Sequence, residues 1–186
     1  AKLDPLQLVL VGTALEASVF IFEVPTGVLA DSVSRRLSVI IGIFLIGAAF
    51  LINGIWPVFW VIVVAQVLWG LGHTFTSGAT QAWISDEIGE ENAGLALIQE
   101  ARWDQWGGIL GTVASVGVAF VSIRAPILVG GFLFLILGAY LIIFMPESGY
   151  KPEILSSKTR FQQLAGTFRG GLSMLKQRPA LLGILA

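Results

Sequence analysis

The amino-acid sequence predicts an all-α fold, a bundle of membrane-spanning helices, on three observations. Hydrophobic residues fill 55% of the 186 positions while Asp, Glu, Lys and Arg fill 12%, about half the charged share with which a soluble domain covers its surface. The chain divides into five apolar stretches, each near the roughly 20 residues a helix needs to cross a hydrocarbon core about 30 Å thick. Glycine at 22 positions and six tryptophans suit close helix contacts in lipid and aromatic belts at its interfaces. A soluble enzyme and a nucleic-acid binder built on a basic patch are excluded. The chain has no cysteine, so disulfides, thiolate metal sites and cysteine nucleophiles are excluded as well.

The spans follow in order, together forming a transmembrane bundle over residues 1–149. The first is expected over 6–30 and is closed by the charged hairpin Asp31 to Arg36 (DSVSRR). Pro25 lies inside it, lacks an amide donor and should kink the helix. The second, 37–55, ends at Trp56-Pro57, and the third, 58–84, runs into the acidic stretch Ser85 to Asn92 (SDEIGEEN). The fourth, 94–121, is interrupted in its first half by Glu100, Arg102 and Asp104. After the polar Ser122 to Arg124 comes the fifth, 125–145, stopped by Pro146-Glu147-Ser148-Gly149, a turn-forming cluster. Residues 150–178 differ in kind: Phe161, Leu164, Phe168, Leu172 and Leu175 recur at helical spacing among Lys and Arg, the pattern of a basic amphipathic helix lying on a membrane surface. Residues 179–186 turn apolar again and read as the start of another span.

Orientation follows from Lys and Arg. Alternating spans put Arg35, Arg36, Lys151, Lys158, Arg160, Arg169, Lys176 and Arg178 on one side and only Lys2 and Arg124 on the other. The first side is expected to be cytoplasmic, with the linker on it and the protein in the plasma membrane. The N-terminus then lies outside without a signal sequence, which leads us to expect a further span ahead of the first.

The end of the first span and its hairpin read FEVPTGVLADSVSRRL. Gly27, Leu29, Ala30, Asp31, Arg35 and Arg36 resemble the GxLADRxGRR loop between the second and third helices of the major facilitator superfamily. FEVPTG is similar to the branch that holds tetracycline- and macrolide-type exporters. The resemblance implies the superfamily's N-terminal six-helix half without its first helix, completed by a C-terminal six-helix half. It also implies a cytoplasmic gate in which Asp31 and Arg35, with Asp86 ending the fourth helix of the family, hold that side closed. Independently of the family, an acid at a helix end and an arginine pair just beyond it attract more strongly where partly desolvated. The sequence departs from the pattern at Ser32 and Ser34. A family arginine falls at Gln66, four residues before Gly70, so its proton-coupling role does not carry over. QWGGILGTVASVG in the fourth span lacks the proline of the antiporter signature.

Charged groups inside the spans are the candidate proton or substrate ligands. Glu16 and Glu23, seven residues apart, share a helix face about 10 Å apart, and a carboxylate in lipid costs at least about 3 kcal/mol unless its face meets protein or water. Glu16 is the protonation candidate; Glu23 is expected to pair with Arg35, Arg36 or Arg102. Gln66, Gly70, His73, Ser77 and Thr80 form a polar stripe carrying the single histidine, a group able to exchange a proton near neutral pH. Arg102 and Asp104, with Glu100, are expected to find partners on other helices and to line a transport path. Gly107, Gly111 and Ser115 form a small-residue ridge suited to helix packing.

The resulting expectation is a secondary active transporter of a small molecule, working by alternating access between two six-helix halves in the bilayer, with efflux of a drug-like solute driven by protons. Uptake of a nutrient through the same fold is the alternative. Rivals from other classes are an intramembrane serine protease using Ser77 and His73, and a non-transporting scaffold. The sequence carries no catalytic motif, metal-ligand cluster, phosphate loop or nucleotide motif, and no cofactor or nucleic-acid partner is expected.

Overall fold

Asp4 opens the first helix. Its carboxylate accepts the amide of Gln7 at 2.7 Å while the Gln7 side chain accepts the amide of Asp4 at 3.1 Å, a reciprocal cap. Pro5 takes the first helical position, where no amide donor is required. In this computed structural model, which describes residues 3–150, α1 (Pro5–Ser32) continues through Pro25. Thr26, the residue after that proline, is buried, and its hydroxyl donates to Phe22 O at 2.8 Å and across to Thr74 O at 3.2 Å. Val33 and Ser34 alone separate α1 from α2 (Arg35–Ile55), and the Ser34 hydroxyl caps α2 by accepting the Leu37 amide at 2.9 Å. The charged hairpin is therefore mostly helix: Asp31 ends α1, while Arg35 and Arg36 open α2.

α3 (Phe59–Ile88), α4 (Glu90–Ala119) and α5 (Ala125–Phe144) complete the described chain. The acidic stretch 85–92, expected as a loop, is helical on both sides of a single joint, Gly89, at φ 81°. Glu90 and Glu91 fall in the first turn of α4, where the helix dipole favours acids. The amphipathic linker helix expected over 150–178 and the new span expected over 179–186 lie outside the described residues, apart from Tyr150. By length and composition α1, α2, α3 and α5 can each cross a membrane. α4 forms as one helix of 30 residues, but Glu90, Glu91, Glu100, Arg102 and Asp104 keep it out of that group of four.

Packing is set by small residues. α3 lies against α1, α2 and α4, and α2 lies against α5. Where α2 crosses α3, a Cβ on Gly42 would come within 2.6 Å of Gly72 O, and one on Gly72 within 2.8 Å of Gly42 O. The two backbones touch, and only glycine permits it at either position. Ala30, Val39, Ala79 and Met145 form a buried cluster, with Ile43, Trp83 and Leu141 packed on it. It joins α1, α2, α3 and the exit of α5 directly beneath the charged hairpin. Farther from the hairpin an aromatic group joins α2, α3 and α5, with Phe50 5.4 Å from Trp69 and 5.7 Å from Phe134 between ring centroids. α4 has one buried residue, Ala93, near its start; from Gly107 to Ala114 every residue is exposed.

Candidate functional site

α1 and α3 run in the same direction, so their last turns stand side by side with the first turn of α2. Those three turns supply Asp31, Asp86 and Arg35. The Arg35 guanidinium has Nε 3.6 Å from Asp31 Oδ1 and Nη1 2.5 Å from Asp86 Oδ2, and it donates to Ala82 O at 2.8 Å. The Arg35 side chain is 15% exposed and the two carboxylates 25% and 23%, so water screens them less than a surface pair. One cation thus bridges the ends of two helices from a third.

Two arginines at a helix start oppose the helix dipole. Glu147, just past α5, offsets them. Its carboxylate accepts the Ser34 hydroxyl at 2.8 and 2.9 Å and the Arg36 amide at 3.0 Å, the anion that a helix N-terminus binds best. The Arg36 guanidinium turns away to donate to Ile142 O. The segment around Glu147 reads in the sequence only as a stop after the fifth span. Counting spans gives the missing signal, because the exits of α1, α3 and α5 fall at the same end, so an acid after α5 meets the arginine pair.

The residues around Glu147 bind the same end. Trp83 Nε1 donates to Pro146 O at 2.7 Å, and the Gly149 amide donates to Glu87 Oε1 at 2.9 Å. Gly149 lies flat on the last turn of α3, where a Cβ would overlap the Asp86 carbonyl oxygen. Tyr150 donates its hydroxyl to Asp31 O at 2.9 Å, and its ring centroid is 6.0 Å from Arg35 Cζ. Burial pushes the Tyr150 hydroxyl above its ordinary value of 10.0; the charges of Glu147, Asp31 and Asp86 add to that rise and Arg35 opposes it.

Between the spans the candidates separate. Glu23 accepts the Ser77 hydroxyl at 3.2 Å, so α3 gives it a hydroxyl where an arginine was expected; Arg35 and Arg36 are engaged at the hairpin instead. Glu16 and His73 are exposed in the described chain. The polar stripe of α3 serves two neighbours: Gly70 packs on Leu15 and Ser18 of α1, whereas Gln66 lines a cavity of about 30 Å³ with Ala49, Phe50, Asn53, Ala65 and Trp69. That volume holds about one or two waters, and Gln66 Oε1 is buried there without a hydrogen-bond partner among the described residues. Thr80 bonds within its own helix, to Thr76 O at 2.8 Å. Gly27 is half-buried with open space beside it.

On α4, Arg102 lines an open groove with Gln99, Trp103, Trp106 and Leu110. Glu100 and Asp104 stand on the adjoining face, exposed. Gly107 and Gly111 face open space, and Ser115 donates to Thr112 O of its own helix at 2.8 Å. Among the described residues nothing packs on Gly107 or Gly111 of that ridge, and Ser115 is half-buried.

The chain was compared with known proteins. The family model described as Major Facilitator Superfamily matches residues 2–186. The chain is 28% identical over 145 residues to an uncharacterized MFS-type transporter, YxaM, of Bacillus subtilis. That alignment covers 76% of this chain and 36% of the relative, so the chain spans about a third of the relative's length. No solved structure matches it.

Proposed function

The chain belongs to the major facilitator superfamily, and from that premise we propose that it is the gate-bearing part of a carrier that moves a small solute across a bilayer by alternating access. A multi-pass helical membrane protein of this family is a transporter and not an enzyme, which removes the intramembrane protease reading of Ser77 and His73. The single observation that supports the gate is Arg35, held from α2 between Asp31 on α1 and Asp86 on α3. Breaking a partly buried pair of this kind costs about 2 kcal/mol, between the exposed and fully buried cases. That is enough to bias two states of a carrier and small enough to be released by solute or ion binding.

In this reading α4 spans the bilayer as well, with Glu100, Arg102 and Asp104 turned to a solute path rather than to lipid, because charges at that depth require protein or water around them. The excess of Lys and Arg makes the hairpin end cytoplasmic, and the membrane is the plasma membrane. Coupling is to protons: Glu16 is the protonation site, Glu23 the next acid toward the gate, and His73 an imidazole on the neighbouring helix α3. Gln66, in place of an arginine, leaves that task to carboxylates. The direction is efflux of a drug-like amphiphile, as the FEVPTG segment suggests by its likeness to the tetracycline- and macrolide-type branch.

Flux in proteoliposomes under an imposed pH gradient tests this reading. Glu16→Gln is expected to lower gradient-driven flux at least tenfold while sparing exchange without a gradient. Unchanged pH dependence in Glu16→Gln would remove the coupling role, and flux into rather than out of cells would replace efflux with nutrient uptake.

A further inference from the structure

The gate residues account for Asp31, Arg35 and Asp86, but not for the five-residue strap Pro146–Tyr150 lying across them. Hydrogen bonds at four strap residues fix it to three different helices. Trp83 and Glu87 of α3 hold Pro146 and Gly149, Ser34 and Arg36 at the start of α2 hold Glu147, and the Asp31 carbonyl at the end of α1 accepts from Tyr150. Gly149 is the seat: its lack of a side chain lets the strap press onto the turn that carries Asp86. From that seat Tyr150 reaches back over Arg35, with its ring facing the guanidinium at 6.0 Å.

We propose that Tyr150 is a positioning residue of the gate, seated by Gly149, which holds the Arg35 guanidinium between Asp31 and Asp86 and must lift before that end opens. The proposal rests on the gate reading above. Its physical content is threefold. The hydroxyl holds the last turn of α1 by donating to the Asp31 carbonyl. The ring shields the charge cluster from water, which strengthens the attraction inside it. The ring face also favours the cation. Motion at the exit of α5 is thereby passed to Arg35 itself through Tyr150.

The chain has no cysteine, so with any cysteine elsewhere in the full-length protein replaced by serine a single reporter can be placed. Ala79→Cys lies in the buried cluster under the latch, where Ala79 is 5% exposed, and reacts with a membrane-impermeant thiol reagent only when that end opens. The measurement uses the full-length protein in vesicles that present the latch end outward. Arg35→Ala is expected to raise the labelling rate, Tyr150→Ala to raise it about fivefold, and Tyr150→Phe about twofold, in line with the loss of one hydrogen bond and one cation–ring contact. Gly149→Ala is expected to act like Tyr150→Ala. In an Arg35→Ala background, Tyr150→Ala is expected to add nothing. If Arg35→Ala raises labelling and the Tyr150 and Gly149 variants do not, the positioning role is overturned and the gate stands. If Arg35→Ala has no effect, the gate reading fails and the positioning role falls with it. Additive effects in the double variant would make Tyr150 a cover independent of Arg35, which also overturns the proposal. Should Gly149→Ala fail to fold, the two Tyr150 variants decide.

Discussion

At the scale of single residues, a charged network at one end of the bundle is built from groups that would each be unfavourable alone. Arg35 and Arg36 start a helix whose dipole repels them, and Asp31 and Asp86 lie close to the same point. Each cost is offset by a neighbour from another helix, and Glu147 offsets the one the sequence left open. Glu147→Gln keeps the shape but removes the anion from the α2 N-terminus. It is expected to destabilise the protein by about 1 kcal/mol and to lower the detergent-solution melting temperature by about 3 °C. Thermal unfolding followed by circular dichroism checks this, and Glu147→Asp should recover part of the loss. Asp31, Arg35 and Asp86 were named together from the sequence because the hairpin resembles the family's loop, and that resemblance adds an acid at the end of the family's fourth helix. Glu147, Gly149 and Tyr150 were not, because a turn signal says where a helix stops and not what the turn touches. The Glu23 to Ser77 bond was missed for a related reason: pairing by charge alone passes over hydroxyl donors.

At the scale of elements, the five described helices lie within a few residues of the apolar stretches. The differences lie at the ends. α3 and α4 extend into the acidic stretch because its residues tolerate a helix and one glycine suffices for the turn. What composition could not tell is which small residues touch. Gly42 and Gly72 carry the α2 to α3 crossing, whereas Gly107 and Gly111, on a ridge of better spacing, face open space. Spacing gives a face but not its neighbour. Gly72→Leu is accordingly expected to cost about 3 kcal/mol or more through overpacking, and to abolish the monodisperse peak in detergent size-exclusion chromatography. Gly111→Leu is expected to leave folding within about 0.5 kcal/mol of the parent. Equal damage from both substitutions would show that the α4 ridge is packed in the folded protein.

At the scale of the whole molecule, packing and polarity are distributed unevenly. A buried cluster, Ala30, Val39, Ala79 and Met145, lies beneath the charged network, while among the described residues Glu16 and most of α4 are exposed. The charged network ties α1, α2, α3 and the α5 exit, so breaking it affects all four together. The sequence made the family and the bundle legible, since hydropathy and one loop motif suffice for both. The division of α3 between a seam with α1 and a small polar cavity with α2 was not legible, because it depends on how three helices lean together. The most direct measurement places a single cysteine at His73, exposed on α3, in proteoliposomes labelled from each side in turn with an impermeant thiol reagent. With Arg35 present the cysteine is predicted to react mainly from the side opposite the latch, and with Arg35→Ala reactivity is predicted to move at least fivefold toward the latch side. A cysteine that reacts from neither side, or with the same preference whether or not Arg35 is present, would contradict the account.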